Sequence, residues 1–210
     1  MARSSADLMG SAAPHHAVIG AILAGGRGSR LGGVDKAFII WQGEPLITRV
    51  ARRLRGHCSG IIVIANGNLG RFAPTGLAAI ADRPHPTLSG ARRGLATAFG
   101  LLDRAAEGAV LFTTPTDLPD LPFDLVWRLK AAMATTGAPA ACAESDGRLH
   151  PLVALWTPSA AERAGAFLAA NRDASVAQVH HAVGSAIVAF PARPSDPFRN
   201  INRPDDLAGN

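Results

Sequence analysis

An apolar run, Ala17 to Leu23, passes directly into a segment with five glycines in nine residues, Gly25 to Gly33. The run suits a buried strand, and the glycines then allow a backbone turn that side chains would obstruct. The whole segment from Ile22 reads ILAGGRGSRLGGVDKAF. Amides left free in such a loop, and at a helix start behind it, can surround an anion, while Arg27, Arg30 and Lys36 add positive charge. Two familiar phosphate loops are excluded. A P-loop places Lys and then Ser or Thr after its last glycine, but Val34, Asp35 and Lys36 follow Gly33. The dinucleotide fingerprint fits Gly26 and Gly28 and then meets Leu31 in place of a third glycine.

Beyond the loop, short β-branched runs alternate with helical spacing. Pro45 can occupy a first helical turn, with Leu46, Val50 and Leu54 on one face and Arg49, Arg52 and Arg53 on the wetter side. Ile61 to Ala65 and Leu77 to Ile80 read as strands, Ala91 to Arg104 as a helix, and Val110 to Thr114 as a strand. A helix from Pro122, strands at Ala138 to Ala143 and Leu149 to Trp156, a helix capped by Thr157 and running to Ala170, a short helix at Ser175 to His181 and a strand at Ala186 to Phe190 complete the pattern. This alternation predicts an α/β fold with a mostly parallel sheet between helices, in one domain spanning 17–210. Residues 1–16 read as a disordered tail.

Composition narrows the ligand. The chain has 210 residues, 48% of them hydrophobic, which is enough for a substantial core. Its 21 basic and 16 acidic residues suit a polyanion, yet the basic residues form no run and no aromatics interleave with them. Nucleic acid is therefore not expected, and a small phosphorylated ligand is. No apolar run reaches membrane-spanning length, so neither a membrane protein nor an exported one is expected, and a cytoplasmic location is. Cys58 and Cys142 belong to no CxxC pair and read as small core residues. Lys36 and Lys130 are the only lysines. A compact ammonium inside a glycine loop can approach phosphate as a point charge.

Sheets of this class place ligands beyond the carboxyl ends of their strands. The glycine loop, Asp82 and Asp117 all fall there. An aspartate after a strand is commonly a turn or helix cap, but Asp120 can cap the next helix and leave Asp117 free. His150, beside Pro151, is open to a structural or a ligand-touching reading. Near the carboxyl end, Asn202 is a natural cap for a short helix after Pro204, which leaves Asn200 free to act. A phosphate loop facing a carboxylate describes a magnesium-dependent nucleotide site, since magnesium needs only one or two carboxylates beside phosphate oxygens and water. No Ser/His/Asp signature points to hydrolysis. A phosphate nucleophile is already an anion and needs no general base.

The LAGG at 23–26, Arg30 and the GGVDK at 32–36 closely resemble the signature of the molybdenum cofactor guanylyltransferases, the MobA family of nucleotidyltransferases. The resemblance extends from Ile22 to Leu207. It implies a three-layer sandwich with a Rossmann-like, mostly parallel sheet of the nucleotide-diphospho-sugar transferase type. It also implies transfer of GMP from GTP to the molybdopterin cofactor, with Mg2+ as the metal, by a monomer in transient contact with cofactor-delivering or cofactor-accepting proteins. Leu23, Ala24, Gly25 and Gly26 match the nucleotide-contacting loop, and Arg30, Lys36 and Asp117 the catalytic set, Asp117 also holding the metal. Asn66 and Asp82 fall on the nucleotide side; His150, Asn200 and Asn202 fall on the cofactor side. Two departures stand out: Ile64 occupies a position where the family often has asparagine, and RPHPTLSGARRG after Asp82 replaces a base-holding segment like PGPLAG. The alternatives are a cytidylyltransferase or another nucleotidyltransferase of the same fold, and a non-catalytic nucleotide-binding accessory protein.

Overall fold

The computed structural model describes residues 17–25, 35–202 and 206. Seven strands form one sheet in the order β5-β4-β1-β6-β8-β7-β9, built from β1 (Val18–Leu23), β4 (Gly60–Ala65), β5 (Ala78–Ala81), β6 (Val110–Pro115), β7 (Ala140–Ser145), β8 (Arg148–Trp156) and β9 (Ala186–Phe190). β1 lies centrally and pairs in parallel with both β4 and β6. β8 alone runs against the rest, antiparallel to β6 and β7. The mostly parallel sheet expected from the alternation is therefore present, with one reversed strand. β2 (Ile40–Trp41) and β3 (Glu44–Pro45) form a separate hairpin whose loop residues, Gln42 and Gly43, both have positive φ. A two-residue turn of that kind matches the twist of its strands.

Period-two alternation sends each strand's side chains to two cores. From β1, Val18 and Ile22 join Val50 and Leu54 of α1 (Leu46–Leu54) and Leu125 and Leu129 of α3 (Leu125–Thr136). Ala21 and Leu23 join the opposite core, with Leu95 and Phe99 of α2 (Gly90–Phe99), Ala160 and Leu168 of α4 (Pro158–Ala170) and Val179 of α5 (Val176–Val183). The result is a sheet covered by helices on both faces. Trp156 anchors the second core: it donates from Nε1 to Thr113 Oγ1 at 3.1 Å, stacks on His180 and meets Phe99 edge to face. Among the described residues, no helix is long and apolar enough to cross a membrane.

Several local expectations change. α3 starts at Leu125 rather than Pro122, because residues 122–124 make a turn in which Leu125 N–H reaches Pro122 O. Asp120 does not cap it; its carboxylate instead accepts from Arg49 at 2.8 Å. Arg49 is correspondingly buried rather than wet, and also donates to Pro119 O at 3.1 Å. The helix expected to reach Arg104 ends at Phe99, and a single 3-10 turn, Leu102–Arg104, follows. Cys142 is buried while Cys58 is only half-buried beneath Gly20, and burial pushes both thiols up to about 12. Residues 1–16 and the helix expected after Pro204 lie outside the described residues.

Candidate active site

Lys36 opens a 3-10 turn, Lys36–Phe38, directly behind the glycine loop. Asp35 caps that turn by accepting the Ala37 amide at 3.1 Å, so the backbone itself sets where the lysine starts. Its ammonium reaches across the end of β6 and donates to Asp117 Oδ2 at 3.3 Å and to Asn202 Oδ1. Asp117 is fixed from the other side, since its carbonyl accepts the Ile201 amide at 2.9 Å. The second carboxylate oxygen, Oδ1, is buried and has no hydrogen-bond partner among the described residues. An orphaned buried oxygen is costly unless something satisfies it. A hard cation fits that atom, since magnesium takes oxygen donors and needs only one or two carboxylates, completed by phosphate oxygens or water. Among the described residues, no group of three or more His, Cys, Asp or Glu forms a metal cage.

A second cluster sits at the ends of β1, β4 and β5. Ala24 N–H bonds Ile64 O at 2.8 Å, carrying the ladder to the threshold of the loop, and Leu23 and Ala24 are buried. Ile64 is itself a core residue facing the helix side, 1% exposed. Asp82 accepts from Arg93 Nε at 2.7 Å and from Thr97 Oγ1 at 3.0 Å, with Asn66 Nδ2 at 3.5 Å. Gly25 lies against this group; a Cβ there would stand 3.1 Å from Asn66 Nδ2, so a side chain at this position would press on the asparagine. Arg71 joins the two clusters. Its Nε donates to Asp35 at 2.7 Å and its Nη1 to Asn66 O at 2.8 Å. One rim thus carries three carboxylate and cation pairs, Lys36 with Asp117, Arg71 with Asp35 and Arg93 with Asp82.

Residues 20–183 match the MobA-like NTP transferase domain. The chain is also 42% identical over 193 residues to a molybdenum cofactor guanylyltransferase of Cereibacter sphaeroides, covering 91% of this chain and 94% of that one. The chain belongs to the MobA-like nucleotidyltransferases. A molybdenum cofactor guanylyltransferase of Rhodopseudomonas palustris is 38% identical, over 89% of this chain and 87% of its own. The fold agrees: the solved structure of molybdopterin-guanine dinucleotide biosynthesis protein A from Archaeoglobus fulgidus superposes with a TM-score of 0.65 at 22% identity, covering 91% of this chain and 95% of that one.

Within this MobA-like fold, the residues singled out from sequence divide into groups. Lys36, Asp117 and Asn202 meet, and Gly25, Asn66 and Asp82 meet. Gly26 and Arg30 lie outside the described residues. The Asn202 side chain, read from sequence as a cap and by resemblance as lying on the cofactor side, holds Lys36, and its backbone amide bonds Asp206; the helix it would cap lies outside the described residues. Asn200, two positions earlier, is half-buried.

His150, on β8, stands apart from Lys36 but packs against Phe198, in the segment that carries Asn202 to the lysine. Its ring lies 4.5 Å from that of Phe198, and its Nε2 is 2.7 Å from Ser145 Oγ. The Ser145 hydroxyl gives its one proton to Asp196 Oδ1 at 2.9 Å, so His150 Nε2 must be the donor to Ser145. Ser, His and Asp therefore do come together, but the carboxylate holds the serine rather than the histidine, and Ser145 is 1% exposed. This is a structural anchor and no nucleophilic triad. Burial lowers the His150 pKa, with Asp196 opposing. The anchor fixes one end of the segment 196–202, whose other end delivers Ile201 to Asp117 and Asn202 to Lys36. The sequence carries no local signal for Arg71, Arg93, Thr97 and Ser145, whose carboxylate partners lie 36, 11, 15 and 51 positions away.

Proposed function

We propose that this chain is a molybdenum cofactor guanylyltransferase, transferring GMP from GTP to the terminal phosphate of molybdopterin. The observation that carries the reading is the pairing of the loop lysine, Lys36, with Asp117, whose second oxygen is buried and has no partner among the described residues. The full-length likeness to relatives named for this activity supports it. In the reaction, an oxygen of the molybdopterin phosphate attacks the α-phosphorus of GTP, a new P–O bond forms, the bond between the α- and β-phosphates breaks, and pyrophosphate leaves. No proton has to be removed from the attacking anion. The chain's part is to hold two anionic phosphates close together, which needs positioning and neutralisation. Lys36 supplies a positive charge that Asp117 and Asn202 aim from behind, and the glycine-rich segment that begins at Gly25 would supply amides. Asn200 and Asn202 fall on the pterin side. Asp117 Oδ1 would hold Mg2+, which when bound draws charge from phosphate oxygens.

The test is pyrophosphate release from GTP with molybdopterin and magnesium. Wild-type protein should turn over; Asp117→Ala should lose at least 100-fold in kcat/KM, the order expected for removing one preorganised charge contact. Lys36→Ala should weaken nucleotide use by about 10-fold or more, since a charge-assisted contact contributes about 1.5–3 kcal/mol. Full magnesium-dependent turnover in Asp117→Ala would sink the assignment.

A further inference from the structure

We propose that Arg93, and not Asp82, reads the base of the nucleotide, through the O6 and N7 edge of guanine. The inference rests on the nucleotide-transfer reading above and deepens it. Asp82 is buried and already engaged. Its side chain is only 3% exposed, and among the described residues Oδ1 accepts the Thr97 hydroxyl at 3.0 Å and Oδ2 accepts Arg93 Nε at 2.7 Å. The Thr97 hydroxyl that donates to it also accepts the Arg83 amide at 2.9 Å. Burial behind Arg93 and Thr97 keeps the carboxylate away from the N–H groups of a base.

Arg93 is arranged in the opposite way. Asp82 takes only its Nε, which fixes the plane of the guanidinium and leaves the terminal nitrogens forward. Among the described residues Nη1 has no partner, and Nη2 has only Asn66 Oδ1 at 3.5 Å. The side chain is 30% exposed, against the 3% of the carboxylate behind it. It also stands at the right end of the molecule. Asn66 and Asp82 flank Gly25, with a Gly25 Cβ placed 3.1 Å from Asn66 Nδ2 and 3.9 Å from Asp82 Oδ2, so Arg93 borders the start of the phosphate loop.

A guanidinium fork offers two parallel donors and no acceptor. Guanine presents two acceptors, O6 and N7, on one edge, whereas adenine presents a donor at N6 and cytosine a donor at N4. The pairing therefore selects guanine and ignores its 2-amino group. Arg93 lies in the RPHPTLSGARRG stretch that replaces the base-holding segment expected from resemblance. The altered segment would keep guanine selection by a different contact.

The test is calorimetric titration of GTP, ITP, 7-deaza-GTP and ATP into wild-type, Arg93→Lys and Arg93→Met protein with magnesium, folding being checked by circular dichroism. Wild type should bind ITP, which lacks the 2-amino group, within about twofold of GTP, and should lose about tenfold or more with 7-deaza-GTP and with ATP, the range for a bidentate pair. Arg93→Met should level GTP with ATP, whereas Arg93→Lys, whose ammonium can still donate to O6 and N7, should keep a weakened preference for GTP. If Arg93→Met fails to fold, the wild-type analogue series decides. A large loss with ITP, undiminished binding of 7-deaza-GTP, or a full GTP preference kept in folded Arg93→Met overturns the proposal while leaving nucleotide transfer standing. If no nucleotide binds, the transfer reading falls with it.

Discussion

Asp82→Ala should destabilise the protein, and by an amount that the geometry bounds. The substitution removes a charge-assisted hydrogen bond from Arg93 Nε at 2.7 Å, a hydroxyl bond from Thr97 at 3.0 Å and a marginal contact with Asn66 at 3.5 Å. The first is worth about 1.5–3 kcal/mol and the second about 0.5–1.5 kcal/mol. Arg93 is partly exposed and can be rehydrated, which offsets part of the first value. A net loss of about 2–4 kcal/mol remains, and in a chain of this size each kcal/mol lowers Tm by about 2–4 °C. Thermal unfolding of the ligand-free protein should therefore show a drop of about 4–16 °C. Asp82→Asn should lose less, since its carbonyl still accepts from Arg93. The discriminating result is a Tm within about 1 °C of wild type combined with weakened GTP binding. That pattern would mean Asp82 contacts the ligand directly and anchors nothing.

Two further outcomes follow from buried groups. Ser145→Ala leaves Asp196 Oδ1 with the Phe198 amide and takes the acceptor from His150 Nε2. It should cost about 1–3 kcal/mol in urea unfolding and speed hydrogen exchange at the Ile201 amide, with unchanged exchange refuting the anchor. His180 is buried, donates from Nε2 to Pro151 O and accepts the Ser185 hydroxyl at Nδ1. Burial lowers its pKa from 6.5, with the Pro151 bond opposing, so below about pH 6.5 the unfolded chain takes up a proton that the folded one refuses. Its contribution is therefore complete above that pH and declines as the pH falls towards the folded value, by up to about 1.4 kcal/mol per pH unit. Comparing Tm between pH 7.5 and 5.5 for wild type and His180→Phe isolates it from His150; an equal acid slope in both would refute it.

Strand ends were the most legible part of the chain. Lys36, Asp82 and Asp117 were found because an α/β alternation puts the residue after a parallel strand at one edge of the sheet, and that edge can be located without coordinates. What those residues do there was less legible. Arg93 and Arg71 meet carboxylates 11 and 36 positions away, and neither separation is a local period. Arg49 looked wet because its helix face is otherwise polar, yet a loop beyond β6 folds over it and supplies Pro119 O and Asp120. Asn202 looked like a cap because Pro204 follows it, and the lysine that claims its side chain is 166 positions away. The reversal of β8 did leave a signal: Asp146 and Gly147 both have positive φ between β7 and β8, the Asp-Gly hairpin turn.

The most direct measurement is the identity of the product. Purified protein would be incubated with magnesium, molybdopterin and an equimolar mixture of GTP, CTP and ATP, and the pterin products resolved by mass spectrometry. The account predicts the guanine dinucleotide in large excess, with pyrophosphate released in equal amount. A cytosine or adenine dinucleotide as the main product would contradict guanylyl transfer, and unmodified molybdopterin beside intact nucleotides would contradict catalysis altogether.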